Sequence, residues 1–152
     1  MKFKNPLLVV ENIERSVEFY KNVLGLRKTA DFGANVTLSG GVCLQSLDSW
    51  KGFIEKDEVI FGANDTEIYF EEEDFDGFAE RLKGLEIDYV HPVKEHRWGQ
   101  RVVRFYDTDK HIIEVGESLK AVALRFFQNG MTKEQVAERM DIPLTLVNEY
   151  IK

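Results

Sequence analysis

Residues 8–25 read LVVENIERSVEFYKNVLG, and this stretch carries the signals of a short strand followed by an amphipathic helix. Its apolar residues recur at intervals of three and four, on one face of a helix: Ile13, Val17, Tyr20 and Leu24. Asn12 is suited to the N-cap, and Gly25 is suited to the position that follows the last helical turn. The stretch therefore predicts a strand, Pro6–Val10, that leads directly into a helix, Ile13–Leu24.

The same pattern occurs a second time in the chain. A strand at Glu67–Phe70 precedes a predicted helix at Phe75–Leu82, which ends near Gly84. Duplication is typical of a unit that has one open apolar face and buries it against a copy of itself. We therefore expect two modules, residues 3–47 and 65–116, each of which closes with β-rich segments.

Each module ends in a predicted β-hairpin. Strands at Asn35–Leu38 and Val42–Leu47 flank the turn Ser39-Gly40-Gly41, and strands at Gln100–Tyr106 and His111–Val115 flank residues 107–110. The segment between the modules, residues 48–64, is longer than most loops. It is expected to be a linker with a short helix, or a flap over a pocket.

Composition narrows the function classes. A chain of 152 residues suits one compact domain with a substantial core, and a formal net charge of −7 argues against nonspecific binding to nucleic acid or anionic membranes. The single Cys43 excludes an intrachain disulfide and fits a reducing compartment. We expect a soluble cytoplasmic protein without a membrane span.

Polar residues recur at matching places in the two modules. Asn5 and Glu67 lie at the first strands, and Gln45 and Glu114 lie in the last strands. If the helices cover the apolar faces, alternation along the strands turns Gln45, Glu67 and Glu114 to the opposite, concave side. Because a sheet interior normally excludes carboxylates unless they are paired, ligated or hydrogen-bonded, this face is the candidate functional site.

Residues 8–25, together with residues 101–115 (RVVRFYDTDKHIIEV), resemble the opening and closing motifs of the vicinal oxygen chelate superfamily. That group contains glyoxalase I, extradiol dioxygenases, fosfomycin-modifying enzymes and bleomycin-resistance proteins. The resemblance covers residues 3–117 and implies an α+β fold, in which two βαβββ modules form a cupped mixed sheet. It also implies a frequent homodimer and a divalent metal held by one residue from each of four strands. The predicted domain is 1–117, with a helical extension over 118–152.

Position by position, the four metal-ligand places of that superfamily fall on Asn5, Gln45, Glu67 and Glu114. Asn5 departs from the usual histidine, glutamine or glutamate, and the turn Thr108-Asp109-Lys110 departs from the usual proline-aspartate-glycine. An all-oxygen set favours Mn²⁺ or Mg²⁺ and holds Zn²⁺ or Ni²⁺ less tightly.

The two carboxylates of this set also permit a site without a metal. Two carboxylates about 4 Å apart repel by about 4 kcal/mol at an effective dielectric near 20. They must therefore share a cation, share a proton or pair with an arginine, for which Arg101 and Arg104 are the candidates. A catalytic metal site, a metal-free polar pocket and a structural network all remain open at this point.

The resemblance implies a glyoxalase I-like lyase or isomerase that acts on a 2-oxoaldehyde–thiol adduct, with Glu114 or Glu67 as general base. The alternative is a non-catalytic small-molecule (drug) binding protein of the bleomycin-resistance type, and other superfamily chemistry, such as thiol transfer or dioxygenation, is a further alternative. Aromatic and arginine residues that would contact the ligand are Trp50, Tyr69, Trp98 and Arg101.

The chain beyond Leu119 has a helical pattern. Thr132 and Gln135 predict a capping box at the start of a helix over Lys133–Met140, and a last helix is predicted at Leu144–Lys152. This arrangement resembles a helix-turn-helix element. Its last helix carries only Lys152 as a cation, so we expect packing against the domain or across a dimer rather than binding to DNA.

Overall fold

A computed structural model describes all residues, Met1–Lys152, as eight strands and six helices. The strands are β1 Leu7–Val10, β2 Lys28–Asp31, β3 Asn35–Leu38, β4 Cys43–Ser46, β5 Glu67–Glu72, β6 Asp88–Glu95, β7 Arg101–Tyr106 and β8 Ile112–Glu117. The helices are α1 Ile13–Leu24, α2 Leu47–Ile54, α3 Phe75–Lys83, α4 Leu119–Gln128, α5 Lys133–Met140 and α6 Leu144–Tyr150.

The strands form two four-stranded sheets with the same order. The first sheet has the order β1-β4-β3-β2, and the second has the order β5-β8-β7-β6. In the first sheet β1 and β4 are parallel, whereas β3 is antiparallel to both β4 and β2. The predicted fold class, two βαβββ modules followed by a helical extension, is therefore confirmed.

Contacts divide the chain into two compact units that do not coincide with the modules. The first unit contains residues 1–67 and 106–112, and the second contains residues 68–105 and 113–152. The turn between β7 and β8 thus belongs to the first unit, and the C-terminal helices belong to the second.

In the first unit, helix α1 begins and ends where its sequence predicts. The Asn12 side chain accepts a hydrogen bond from the Arg15 N–H at 2.8 Å, and Gly25 ends the helix with φ = 69°. The helix contacts β3 and β4. Its buried residues and those of the strands form the apolar core of this unit, which includes Val10, Tyr20, Val23, Val36, Leu38 and Leu44.

Two buried aspartates hold the β7–β8 turn against α1. Asp109 accepts hydrogen bonds from the Glu11 N–H at 2.9 Å and from the Ser16 hydroxyl at 3.2 Å. Asp107 accepts one from the Tyr20 hydroxyl at 2.9 Å. Burial and the Asp107 carboxylate raise the pKa of Tyr20 well above its usual value, so the hydroxyl stays protonated and donates to Asp107.

The segment between the modules contains the short helix that we predicted for a linker, α2. The helix contacts β1 and β4. Its Ser49 hydroxyl accepts a hydrogen bond from the side-chain amide of Gln45. Phe53 of this helix is 70% exposed.

In the second unit, α3 and the central strands form a separate core. The Asp74 side chain caps α3 by accepting a hydrogen bond from the Gly77 N–H at 3.0 Å. Apolar residues of α3, β7 and β8 are buried: Phe75, Phe78, Leu82, Val102, Val103, Phe105, Ile113 and Val115. The edge strand β6 is exposed along almost its whole length.

The C-terminal helices have a small core of their own, formed by Val122, Ala123, Phe126, Val136, Met140, Val147 and Ile151. The predicted capping box is confirmed, because the Thr132 side chain bonds to the Gln135 N–H and the Gln135 side chain bonds to the Thr132 N–H. None of the six helices combines the length and the apolar character that crossing a bilayer requires.

Candidate functional site

The central element of the candidate site is Glu114, on strand β8. Its neighbours Ile113 and Val115 are buried, and alternation turns Glu114 to the other side of the strand. Glu114 is only 6% exposed and forms an ion pair with the Arg104 guanidinium of β7. On the other side of that guanidinium, His91 Nε2 lies 3.2 Å from Arg104 Nη1. Of the possibilities considered for this carboxylate (a shared cation, a shared proton or an arginine), Glu114 therefore pairs with an arginine.

A hydrogen-bonded series of side chains lies in the same unit. The Trp98 indole N–H donates to Gln100 Oε1 at 3.1 Å, and Gln100 Nε2 donates to the Tyr69 hydroxyl at 3.0 Å. The Tyr69 hydroxyl in turn donates to Glu71 at 3.1 Å. Burial and the Glu71 carboxylate raise the pKa of Tyr69, against the opposing hydrogen bond from Gln100. Two of the predicted ligand-contacting residues, Trp98 and Tyr69, are therefore linked through Gln100.

Gly116 allows Tyr69 to pack closely against β8. A Cβ atom at Gly116 would lie 3.1 Å from Tyr69 Cε2 and 3.0 Å from Gln100 Nε2, closer than nearly all Cβ contacts. Gly116 is two residues from Glu114 and shares its side of the strand. We refer to the side of the second sheet that carries Tyr69, Arg104, Glu114 and Gly116 as the glutamate face.

The loop that presents Trp98 is held by the C-terminal extension. The His96 and Trp98 rings stack with centroids 4.3 Å apart, and burial together with the nearby Arg104 charge lowers the pKa of His96. Gly99 has φ = 90°, and its carbonyl oxygen accepts a hydrogen bond from Arg125 Nη2 at 2.6 Å. Helix α4 therefore positions the segment that carries Trp98.

Arg101, which we predicted to contact the ligand, belongs to a different cluster. Its guanidinium donates to Glu117 at 3.0 and 3.1 Å and to Asp76 of α3 at 2.6 Å, and it lies over the Phe75 ring. Arg125 also donates to Glu117. Arg101 therefore lies on the α3 side, opposite the glutamate face, because alternation separates it from Arg104.

The same cluster explains the ionisation of Glu117. Burial alone would raise the pKa of this carboxyl, but the hydrogen bonds from Arg125 and Arg101 outweigh burial and lower it. The carboxylate is therefore charged and fully engaged in linking β7, β8 and α4.

The remaining predicted site residues lie in the first unit. Gln45 is buried, and its amide is used within the unit: Oε1 accepts from Asn35 at 2.8 Å and Nε2 donates to the Ala34 carbonyl at 3.0 Å. Glu67 is exposed at the start of β5 and lines a shallow recess with residues 64–66 and Ile112. Trp50 is half-buried in α2, and the Asn5 amide bonds to the neighbouring Pro6 carbonyl.

The register of the first sheet separates Asn5 from Gln45. Leu7 pairs with Cys43, and Val9 pairs with Gln45. Asn5 precedes Val9, the neighbour of Gln45, by four residues. Because an extended chain rises about 3.3 Å per residue, Asn5 and Val9 are about 13 Å apart along the strand. The structure does not bring these two predicted ligands together.

The second sheet has a parallel pair of strands like that of the first. Strands β5 and β8 run parallel, because their first residues, Glu67 and Ile112, line one recess and the Ser118 N–H bonds to the Glu72 carbonyl at their other end. This bond places Tyr69 beside Glu114. Gln45 and Glu114 each lie three residues beyond the carbonyl group that closes the preceding turn.

These observations test whether the chain fits a resident divalent metal. Glu114 already has its charge compensated by Arg104, and Gln45 has its amide engaged in hydrogen bonds. No group of three or more His, Cys, Asp or Glu side chains converges in a geometry that could hold a metal ion. Gln45 and Glu114, each engaged within its own unit, therefore do not fit as free ligands of the metal that the superfamily resemblance implies.

Sequence reasoning missed three contributors to the site: His91, Gln100 and Gly116. Both His91 and Gln100 come from the β6–β7 hairpin, whose pairing no local motif predicted. Gly116 had a usable signal, because a glycine inside a strand often marks close approach by another group. This glycine follows Glu114 by two residues, on the same side of the strand.

Comparisons with known proteins agree with this architecture. Residues 3–120 match the family model of the glyoxalase-like domain. A crystal structure of a protein of unknown function from Agrobacterium tumefaciens is similar, with 38% identity, coverage of 78% of this chain and 94% of that chain, and a TM-score of 0.71. No match was found among curated proteins.

Two structures of lower identity show the same fold. A glyoxalase/bleomycin resistance protein/dioxygenase from Nocardioides has 19% identity and a TM-score of 0.63, over 77% of this chain and 83% of that chain. The fosfomycin resistance protein FosX from Mesorhizobium loti has 21% identity and a TM-score of 0.56, over 77% of this chain and 92% of that chain.

Proposed function

Because the chain belongs to the glyoxalase-like domain family, we propose that it is a small-molecule binding protein that holds its ligand on the glutamate face without a resident metal ion. The observation that carries this proposal is the ion pair between Glu114 and Arg104. A buried carboxylate needs a compensating charge, and here the guanidinium supplies it from the neighbouring strand.

The groups around this pair suit a flat organic molecule with an anionic or acceptor group. Trp98 and Tyr69 are 38% and 46% exposed, so their rings are accessible as apolar surfaces. The planar guanidinium of Arg104 suits carboxylate recognition. This corresponds to the binding-protein alternative of the bleomycin-resistance type.

The test uses 2-naphthoate, a planar aromatic carboxylate, as the probe in calorimetric titrations. We expect saturable binding that weakens at least tenfold in the double variant Arg104→Met/Glu114→Met, which removes the pair without leaving a buried charge alone. Arg27→Met, in the first unit, is the matched control and should bind like the parent protein. Equal affinity in the double variant would contradict the proposal.

A glyoxalase I-like lyase is the enzymatic alternative to a binding protein. The measurement is elemental analysis of protein purified without chelators, together with turnover of the hemithioacetal of methylglyoxal and glutathione. We expect no stoichiometric divalent metal and no turnover. A stoichiometric metal with turnover that Glu114→Gln abolishes would establish the lyase and overturn our proposal.

We also propose that the protein is a homodimer, as the superfamily resemblance implies. Light scattering after size-exclusion chromatography measures the mass directly. A species of twice the monomer mass is expected, and a monomer at all concentrations would refute this part of the proposal.

A further inference from the structure

A second concave surface lies in the second unit, between the loop that carries Trp98 and the α5–α6 turn. We refer to it as the C-terminal cleft. It has a volume of about 670 Å³, within the range typical of small-molecule sites. One wall includes Arg97 and Trp98, and the other is formed by residues 138–142 of the extension. All of this second wall lies beyond the residues that match the glyoxalase-like domain.

The charges along the cleft have both signs. Arg97 and Arg139 contribute two cations, and Glu138 and Asp141 contribute two anions. Arg139 has a long-range partner, Glu95, at 3.5 Å. The side chains of Arg97, Glu138 and Asp141 form no ion pair or hydrogen bond within the chain. A ligand with charges of both signs would therefore find partners, whereas a simple anion or cation would meet as many repulsive as attractive groups.

The apolar part of the cleft is rigidly supported. Met140 is 3% exposed and belongs to the core of the C-terminal helices. The Trp98 ring is fixed by its stack on His96 and by its hydrogen bond to Gln100. The Trp98 indole, which is 38% exposed, provides the surface for an aliphatic or aromatic side chain, and Met140 supports the cleft from the core.

We propose that the C-terminal cleft binds a zwitterionic molecule with an apolar side chain, of the size of an amino acid or a dipeptide. Its carboxylate pairs with Arg97, its ammonium group pairs with Glu138 or Asp141, and its side chain lies against Trp98. Trp98 borders both this site and the glutamate face, but the charged groups of the two sites differ, and binding here does not depend on the function proposed there.

The experiment follows the fluorescence of Trp98. The chain has two tryptophans, so Trp50→Phe leaves Trp98 as the only reporter. The probe is the dipeptide leucyl-leucine, compared with its N-acetyl derivative and with its C-terminal amide, which lack the cationic and the anionic group respectively. We expect a saturable change in Trp98 fluorescence with leucyl-leucine. Each blocked analogue should bind at least tenfold more weakly.

Variants locate the binding. Arg97→Gln/Glu138→Gln should weaken binding of leucyl-leucine at least tenfold, and Glu80→Gln/Lys83→Gln, which removes an exposed pair of charges on α3, should not. Arg104→Met/Glu114→Met should leave this affinity unchanged, which separates the cleft from the glutamate face. The proposal is overturned if leucyl-leucine does not bind below 10 mM, if the blocked analogues bind equally well, or if the cleft variant binds normally.

Discussion

The Arg125 guanidinium lies 2.6 Å from the carbonyl oxygen of Gly99 and also donates to Glu117. One side chain of the C-terminal extension thus contacts both the loop before β7 and the end of β8. The extension is therefore part of the structure that positions Trp98.

Gly99→Ala should destabilise the second unit because a Cβ at this position would overlap the Phe126 ring. Gly130→Ala is the control, since Gly130 has a similar φ of 96° and no atom within 4 Å of the added Cβ. Both variants carry the backbone strain of a positive φ, about 1 kcal/mol, and Gly99→Ala adds overpacking of about 1–3 kcal/mol. Urea unfolding measures the difference. An equal decrease in the free energy of unfolding of the two variants would show that the Phe126 ring moves away from the added Cβ without a loss of stability.

Glu117→Gln should lower the free energy of unfolding by about 3 kcal/mol, because it leaves two arginines without their buried carboxylate. The folded-state pKa of Glu117 is lowered, so its contribution is complete above the unfolded-state pKa near 4.3 and is lost as pH falls through the folded-state pKa. Urea unfolding at pH 7 and at lower pH should show the variant converging with the parent. If the difference in the free energy of unfolding between the variant and the parent protein stayed constant as the pH fell, the stabilising role of the Glu117 carboxylate would be contradicted.

Tyr20→Phe tests the buried turn in the first unit. The substitution removes one hydroxyl that donates to Asp107 and changes little else in the core, so we expect a loss of about 1–2 kcal/mol. Asp107 keeps its hydrogen bond with His111 at 2.8 Å in the variant. Phe19→Leu, on the neighbouring position of α1, controls for general disturbance of the helix. A neutral effect of Tyr20→Phe would mean that water replaces the hydroxyl.

The sequence predicted the elements whose signals are local. The N-cap at Asn12, the glycine after α1 and the capping box at Thr132 each depend on residues within four positions, and all are present. Strand β6 had no such signal, because an edge strand exposed on both sides shows no alternation between apolar and polar residues.

The candidate site was less predictable because it depends on how strands pair. Glu114 was identified from alternation alone, but the choice of Arg104 over Arg101 as its partner depends on which side of β7 each arginine occupies. Alternation alone cannot specify that partner, because a register shift of two residues keeps a side chain on the same face.

A double-mutant cycle on Arg104 and Glu114 tests the pair on which the proposed function depends. Arg104→Met alone leaves a carboxylate that is 6% exposed without its cation, so we expect a loss of about 3 kcal/mol in the free energy of unfolding. Glu114→Met alone should cost less, because the guanidinium is more exposed than the carboxylate and retains its contact with His91. The double variant should be more stable than Arg104→Met, with a coupling of about 1–3 kcal/mol between the sites. Additive losses would show that the two side chains do not form an ion pair in solution, and Glu114 would then be available for another cation.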